Sequence, residues 1–121
     1  MLHIIYAELV NKYGWSPASR SNPDGKEGNV VWMHLFIDSF AIQPCGPTCK
    51  SIPFFSARIG TDDEIYFAVA TARDAWIQAD KNRYNGANGC LLWKVFASRG
   101  LGTNAKTTAP FADGFGVPAG C

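Results

Sequence analysis

Residues 29–42, Asn29-Val-Val-Trp-Met-His-Leu-Phe-Ile-Asp-Ser-Phe-Ala-Ile42, are apolar on nearly every side when wound as a helix. Met33, Phe36, Ile37 and Phe40 form an i, i+3, i+4, i+7 stripe, and Val30, Val31, Trp32 and Leu35 fill most of the remaining circumference. A surface helix keeps one polar face, whereas a helix that is apolar all round needs neighbours on all sides. This segment is therefore expected to be the central, buried helix, ending before Pro44. Everything else in the chain has to be arranged around it.

Three further segments carry the helical period. Leu2, Ile5, Tyr6, Leu9, Val10 and Tyr13 recur at spacings of three and four, predicting a helix over about 1–13 that Gly14 stops. No Ser, Thr, Asp or Asn precedes it, so the pattern opens without a cap and is expected to belong to something longer. Thr71 and Asp74 have the spacing of a capping box, and Ala72, Ala75, Trp76 and Ala79 make a buried stripe, predicting a third helix over 71–83. After the turn Asn85-Gly86-Ala87-Asn88-Gly89, the placement of Leu91, Leu92, Val95 and Phe96 predicts a fourth helix over 90–99, with Gly100 as the residue that ends it.

The connections differ in kind. Residues 15–28 are rich in Ser, Pro, Asn and Gly and read as a loop. Residues 52–69 have strand-type composition around Gly60-Thr61-Asp62-Asp63, which predicts a β-hairpin in an otherwise helical chain. Residues 102–121 hold glycines, prolines and threonines without a period and are expected to be an irregular wrap or a loose end. At 121 residues the chain is one domain with a modest core, and its 11 Lys+Arg against 10 Asp+Glu exclude a strongly basic footprint for nucleic acid. The charges of Arg73, Lys81, Arg83, Lys94, Arg99 and Lys106 alternate with Asp74 and Asp80 and read as a solvated surface. With no apolar run of roughly 18 residues, no membrane-spanning helix is expected, and the opening residues lack the basic end of an export signal.

Candidate chemistry is sparse. His3 and His34 are the two histidines, and neither begins H-E-x-x-H. His34 and Asp38 are i, i+4 neighbours that could offer two ligands to a metal, but a catalytic zinc takes three from the protein and no third is visible. Cys45-Gly-Pro-Thr-Cys49 is a C-x3-C, not a redox C-x2-C. Cys45, Cys90 and Cys121 are read as one disulfide plus a leftover thiol with the pairing open, Cys121 being a natural tether for the tail. Gly100-Leu-Gly102 follows a helix and so has the wrong polarity for a phosphate loop. Trp32, Trp76 and Trp93 are read as packing residues.

Three stretches nevertheless resemble one family. Gly28-Asn-Val-Val-Trp-Met-His-Leu-Phe-Ile-Asp-Ser-Phe-Ala-Ile-Gln-Pro-Cys45, Ala72-Arg-Asp-Ala-Trp-Ile-Gln-Ala-Asp80 and Leu92-Trp-Lys-Val-Phe-Ala-Ser-Arg-Gly-Leu-Gly102, closing on Val117-Pro-Ala-Gly-Cys121, resemble the C-terminal end of fungalysins, secreted thermolysin-like zinc metalloendopeptidases of fungi. The resemblance implies a mainly α, four-helix lobe like the C-terminal domain of thermolysin-like metallopeptidases. It implies a truncated, partial domain that forms one wall of the substrate cleft and packs against the missing zinc-bearing lobe, with protein or peptide as substrate and an extracellular location. The zinc ligands of that family, H-E-x-x-H and a downstream glutamate, lie upstream of the matched region. No catalytic, cofactor-binding or metal residue therefore carries over, no zinc is expected to bind this chain, and the chain alone is expected to be inactive.

The resemblance skips residues 50–69. Thr48-Cys49-Lys50-Ser51 can be encoded across a GTAAGT donor, Thr61-Asp62 across CTGAC, and Ala68-Val69 across GCAG, which suits a retained intron at about residues 49–69. A hairpin inserted between two helices is the competing reading, since loop insertions cost little closure entropy. A non-catalytic helical interaction protein is the alternative to a protease fragment.

Overall fold

The computed structural model describes residues 1–43, 62–106 and 110–121, with residues 62–70 described as backbone only. Within them lie four α-helices: α1 (Leu2–Tyr13), α2 (Gly28–Ile42), α3 (Asp62–Tyr84) and α4 (Gly89–Ala97), with a short 3-10 turn at Pro17–Arg20. Among the described residues there is no sheet, only isolated bridges between Leu101 and Gly114 and between Lys106 and Ala112. The mainly helical class expected from the periodicity is the observed one.

α1 lays Ile5 and Leu9, one turn apart and both fully buried, against α2 and α4. It ends at Gly14, whose φ of 79° suits a residue without a side chain. α2 packs against both α1 and α3, and the core cluster joins Ile5 and Leu9 to Val31, Leu35, Trp76, Leu92, Val95 and Phe96. The chain enters α2 through a tight crossing: the amide of Gly28 donates to the carbonyl of Gly14 at 2.8 Å, and a Cβ on Gly28 would lie 2.2 Å from the carbonyl oxygen of Leu9. Asn29 ties the loop down, its side chain exchanging two hydrogen bonds with the backbone of Ser16.

α3 corrects the sequence reading. Thr71 lies inside the helix, so the capping box with Asp74 does not form, and residues 62–69, expected in the second half of a hairpin, are helical. Residues 52–61 of that hairpin lie outside the described residues. Extending an existing helix is far cheaper than nucleating a separate hairpin, and strand propensity is easily overridden by context. Downstream, Ala75, Trp76 and Ala79 are buried as expected.

α4 buries Leu92, Val95, Phe96 and Ala97. Gly100, at φ 79°, closes it with a Schellman pattern, its own amide donating to Ala97 and that of Leu101 to Phe96, both at 3.0 Å. The tail is a wrap: Gly102 donates to Gly114 at 2.6 Å and Thr103 to Gly116 at 2.9 Å. Its last residue is covalently held, because Cys121 is bonded to Cys90 at the start of α4. That settles the open pairing for these two cysteines, while Cys45 and Cys49 lie outside the described residues.

Candidate functional site

The feature that asks for a function is the outer face of α2. Val31 and Leu35 turn inward at 3% and 0% exposure, whereas Met33, Ile37 and Phe40 are 45%, 57% and 62% exposed. The expectation that this helix is buried all round is therefore corrected for one side. Successive residues rotate by about 100°, so Met33 and Ile37 stand nearly opposite Leu35, and both faces are apolar. Phe36 sits between them, stacked on Trp32 at 4.9 Å and edge-on to Phe40 at 4.7 Å. At the N-terminal end the ridge opens into a hollow of about 430 Å³ lined by Tyr6, Trp15, Pro17, Arg20, Trp32 and Met33.

A polar margin runs beside the ridge. Asp38 and Arg83 form a two-toothed ion pair between α2 and α3, at 2.6 and 3.0 Å. These hydrogen bonds hold the Asp38 carboxyl below its usual range and raise the Arg83 guanidinium above its own, in each case against a smaller opposing effect of burial. His34 Nδ1 and the Tyr84 hydroxyl lie 2.7 Å apart, and burial pushes that hydroxyl up. His34 and Asp38 thus share a face, as their spacing predicts, but each is engaged by its own partner on α3. His3 is exposed on α1. Among the described residues no group of three or more His, Cys, Asp or Glu could hold a metal ion. Trp32 packs tilted at 6.2 Å against Trp76 of the core, and Gly100-Leu101-Gly102 terminates α4.

Two charged residues read as surface are anchors, Asp80 in the interior and Arg73 half-buried at its edge. Asp80 is fully buried, its carboxyl oxygens accepting from the backbone and side-chain amides of Asn88 at 2.9 and 2.8 Å. Asn88 Oδ1 in turn accepts from Tyr13 at 2.8 Å and Lys12 at 3.2 Å, so one network joins α1, α3 and α4. Arg73 lies over the ring of Trp93 at 5.0 Å and donates to the carbonyls of Leu101 and Gly102. Alternating charge hid both, because sequence shows sign and not depth. For Asp80, the clue was its place one residue after the buried stripe position Ala79.

The model of the fungalysin metallopeptidase family (M36) matches residues 1–105. The chain belongs to the fungalysin family. An extracellular metalloproteinase of Pyrenophora tritici-repentis is 38% identical over 99% of this chain and 16% of its own length. Extracellular metalloproteinase MEP of Leptosphaeria maculans is 34% identical over the same shares, 99% and 16%. Extracellular metalloproteinase 4 of Arthroderma gypseum is 33% identical over 100% of this chain and 17% of its own length. The chain thus spans about one-sixth of the fungalysin relatives it matches. Those relatives are extracellular by name, and no helix among the described residues is long and apolar enough to cross a membrane.

Proposed function

We propose that this chain is the helical lobe of a secreted fungalysin-type zinc endopeptidase, packing against the zinc-bearing part of the same polypeptide and forming one wall of the cleft that takes a protein or peptide substrate. The observation that carries this is the open ridge of Met33, Ile37 and Phe40 on a helix whose other face is already core. A piece one-sixth the length of its relatives has lost most of the surface it evolved to touch, and a contiguous apolar patch is what such a cut leaves behind.

Among the described residues no group of His, Cys, Asp or Glu makes up a zinc site. H-E-x-x-H is absent from the sequence, and the nearest donor pair, His34 and Asp38, is committed to Tyr84 and Arg83. Zinc in the intact enzyme would therefore be held, and water activated, by residues outside this chain. Residues 49–69 are proposed as translated intron sequence, of which residues 62–69 extend α3 in this chain.

Covering three half-exposed apolar side chains stabilises a contact by about 2–4 kcal/mol. Without a partner, the chain is expected to self-associate on gel filtration. The triple variant Met33→Gln, Ile37→Gln, Phe40→Gln is expected to elute as a monomer with the same far-ultraviolet helical signal. A monodisperse wild-type monomer that the substitutions leave unchanged would reject the ridge as a covered surface and favour a free-standing, non-catalytic interaction protein.

A further inference from the structure

We propose that Asn85 is a self-modification site, whose side-chain amide reacts with its own backbone and water to give aspartate and isoaspartate. The same dipeptide three residues later is protected by the fold. The turn between α3 and α4, Asn85-Gly86-Ala87-Asn88-Gly89, contains Asn-Gly twice. A glycine after asparagine presents an unhindered amide nitrogen, because no Cβ blocks its approach to the asparagine side chain. Sequence alone ranks the two pairs equally, and the structure separates them.

Asn88 is 1% exposed, and its side chain is held at both ends. Its Nδ2 donates to the Asp80 carboxyl at 2.8 Å, and its Oδ1 accepts from the Tyr13 hydroxyl at 2.8 Å and the Lys12 ammonium at 3.2 Å. The Gly89 amide, which would have to attack, donates to the Gly86 carbonyl at 3.0 Å. Swinging the carboxamide onto that nitrogen breaks all of these bonds together, in a network that joins three helices.

Asn85 is exposed, and among the described contacts nothing holds its carboxamide. It stands at φ 53° and Gly86 at 79°, just past the last turn of α3, where asparagine and glycine tolerate the left-handed region. The attacking nitrogen here is that of Gly86, which donates to the Asp80 carbonyl at 3.2 Å. That bond closes a helix end, and helix ends open far more readily than a buried network.

The step balances without redox chemistry. The Gly86 amide gives its proton to hydroxide, and the nitrogen attacks Cγ of Asn85. A C–N bond forms, the Cγ–Nδ2 bond breaks, and Nδ2 leaves as ammonia with a proton taken from water. Water then opens the five-membered imide. Opening at Cγ leaves aspartate, whereas opening at the main-chain carbonyl leaves isoaspartate, whose backbone runs through the side chain and is one methylene longer. The extra methylene falls in the turn that carries Asn88 back to the Asp80 carboxyl, so it loosens that joint.

The test is to age the whole folded chain in mildly alkaline buffer and map it by mass spectrometry. After reduction, trypsin releases residues 84–94 as one peptide between Arg83 and Lys94, so fragment ions compare both asparagines in a single molecule. Asn85 is expected to convert at least about tenfold faster than Asn88, and faster as pH rises, while in urea the two convert at similar rates. The aged fraction, separated by its added negative charge on anion exchange, is expected to melt below fresh protein. Equal rates in the folded chain, or no conversion at Asn85, would overturn the site. A preference that persists in urea would overturn the protection by the fold, and an aged fraction that melts with fresh protein would overturn the loosening.

Discussion

Replacing Gly28 with alanine is expected to separate α1 from α2 and cost roughly 3 kcal/mol or more. The added Cβ would sit 2.2 Å from the Leu9 carbonyl oxygen, 2.3 Å from its carbon and 2.4 Å from the Val10 nitrogen, all backbone of a helix that cannot yield locally. The helices must part, and the fully buried pair Ile5 and Leu9 leaves the core with them. Gly89→Ala is the control. A Cβ there meets nothing within 4 Å in the first turn of α4, so alanine should stabilise by about 0.5–1 kcal/mol through the unfolded chain. Thermal melting in the polar-ridge background separates the two effects. A Gly28→Ala protein that melts with its parent would contradict the close crossing.

Asp80→Ala is expected to be the second most damaging change. It leaves the backbone and side-chain amides of Asn88, a residue 1% exposed, without their acceptors, and an unpaired buried donor costs about 1–3 kcal/mol. The loss propagates because Asn88 also receives Tyr13 and Lys12 from α1. A fall of about 10 °C in melting temperature is the expected reading. Asn88→Ala should come close to it, and the double variant should cost less than the sum, since the two side chains share one network. Strict additivity would show that Asp80 and Asn88 act separately.

These two positions also show how far the sequence could be read. Period and terminators were legible where one face is apolar and the other polar: Ile5 and Leu9 against Gly14, Leu92 and Phe96 against Gly100. In α2 the pattern could not say which apolar face was core, because Val31 and Leu35 look no more buried in sequence than Met33, Ile37 and Phe40. Residues 62–69 misled because Ile65, Tyr66 and Phe67 favour strands in isolation, while an adjoining helix can absorb them at little cost. Asp80 was invisible because a carboxyl alternating with Lys81 and Arg83 reads as surface unless its partner, Asn88, is known to fold back on it. The family was legible in contiguous words that survive regardless of such errors.

The central claim is that this chain is one lobe of a longer secreted peptidase. The most direct test is to sequence the transcript across its locus. The account predicts a message that continues upstream, in frame, into codons for H-E-x-x-H and that lacks the codons for residues 50–69. A message that begins at the codon for Met1 and keeps those codons would contradict it, leaving a stand-alone helical protein for which binding through the α2 ridge is the function to pursue.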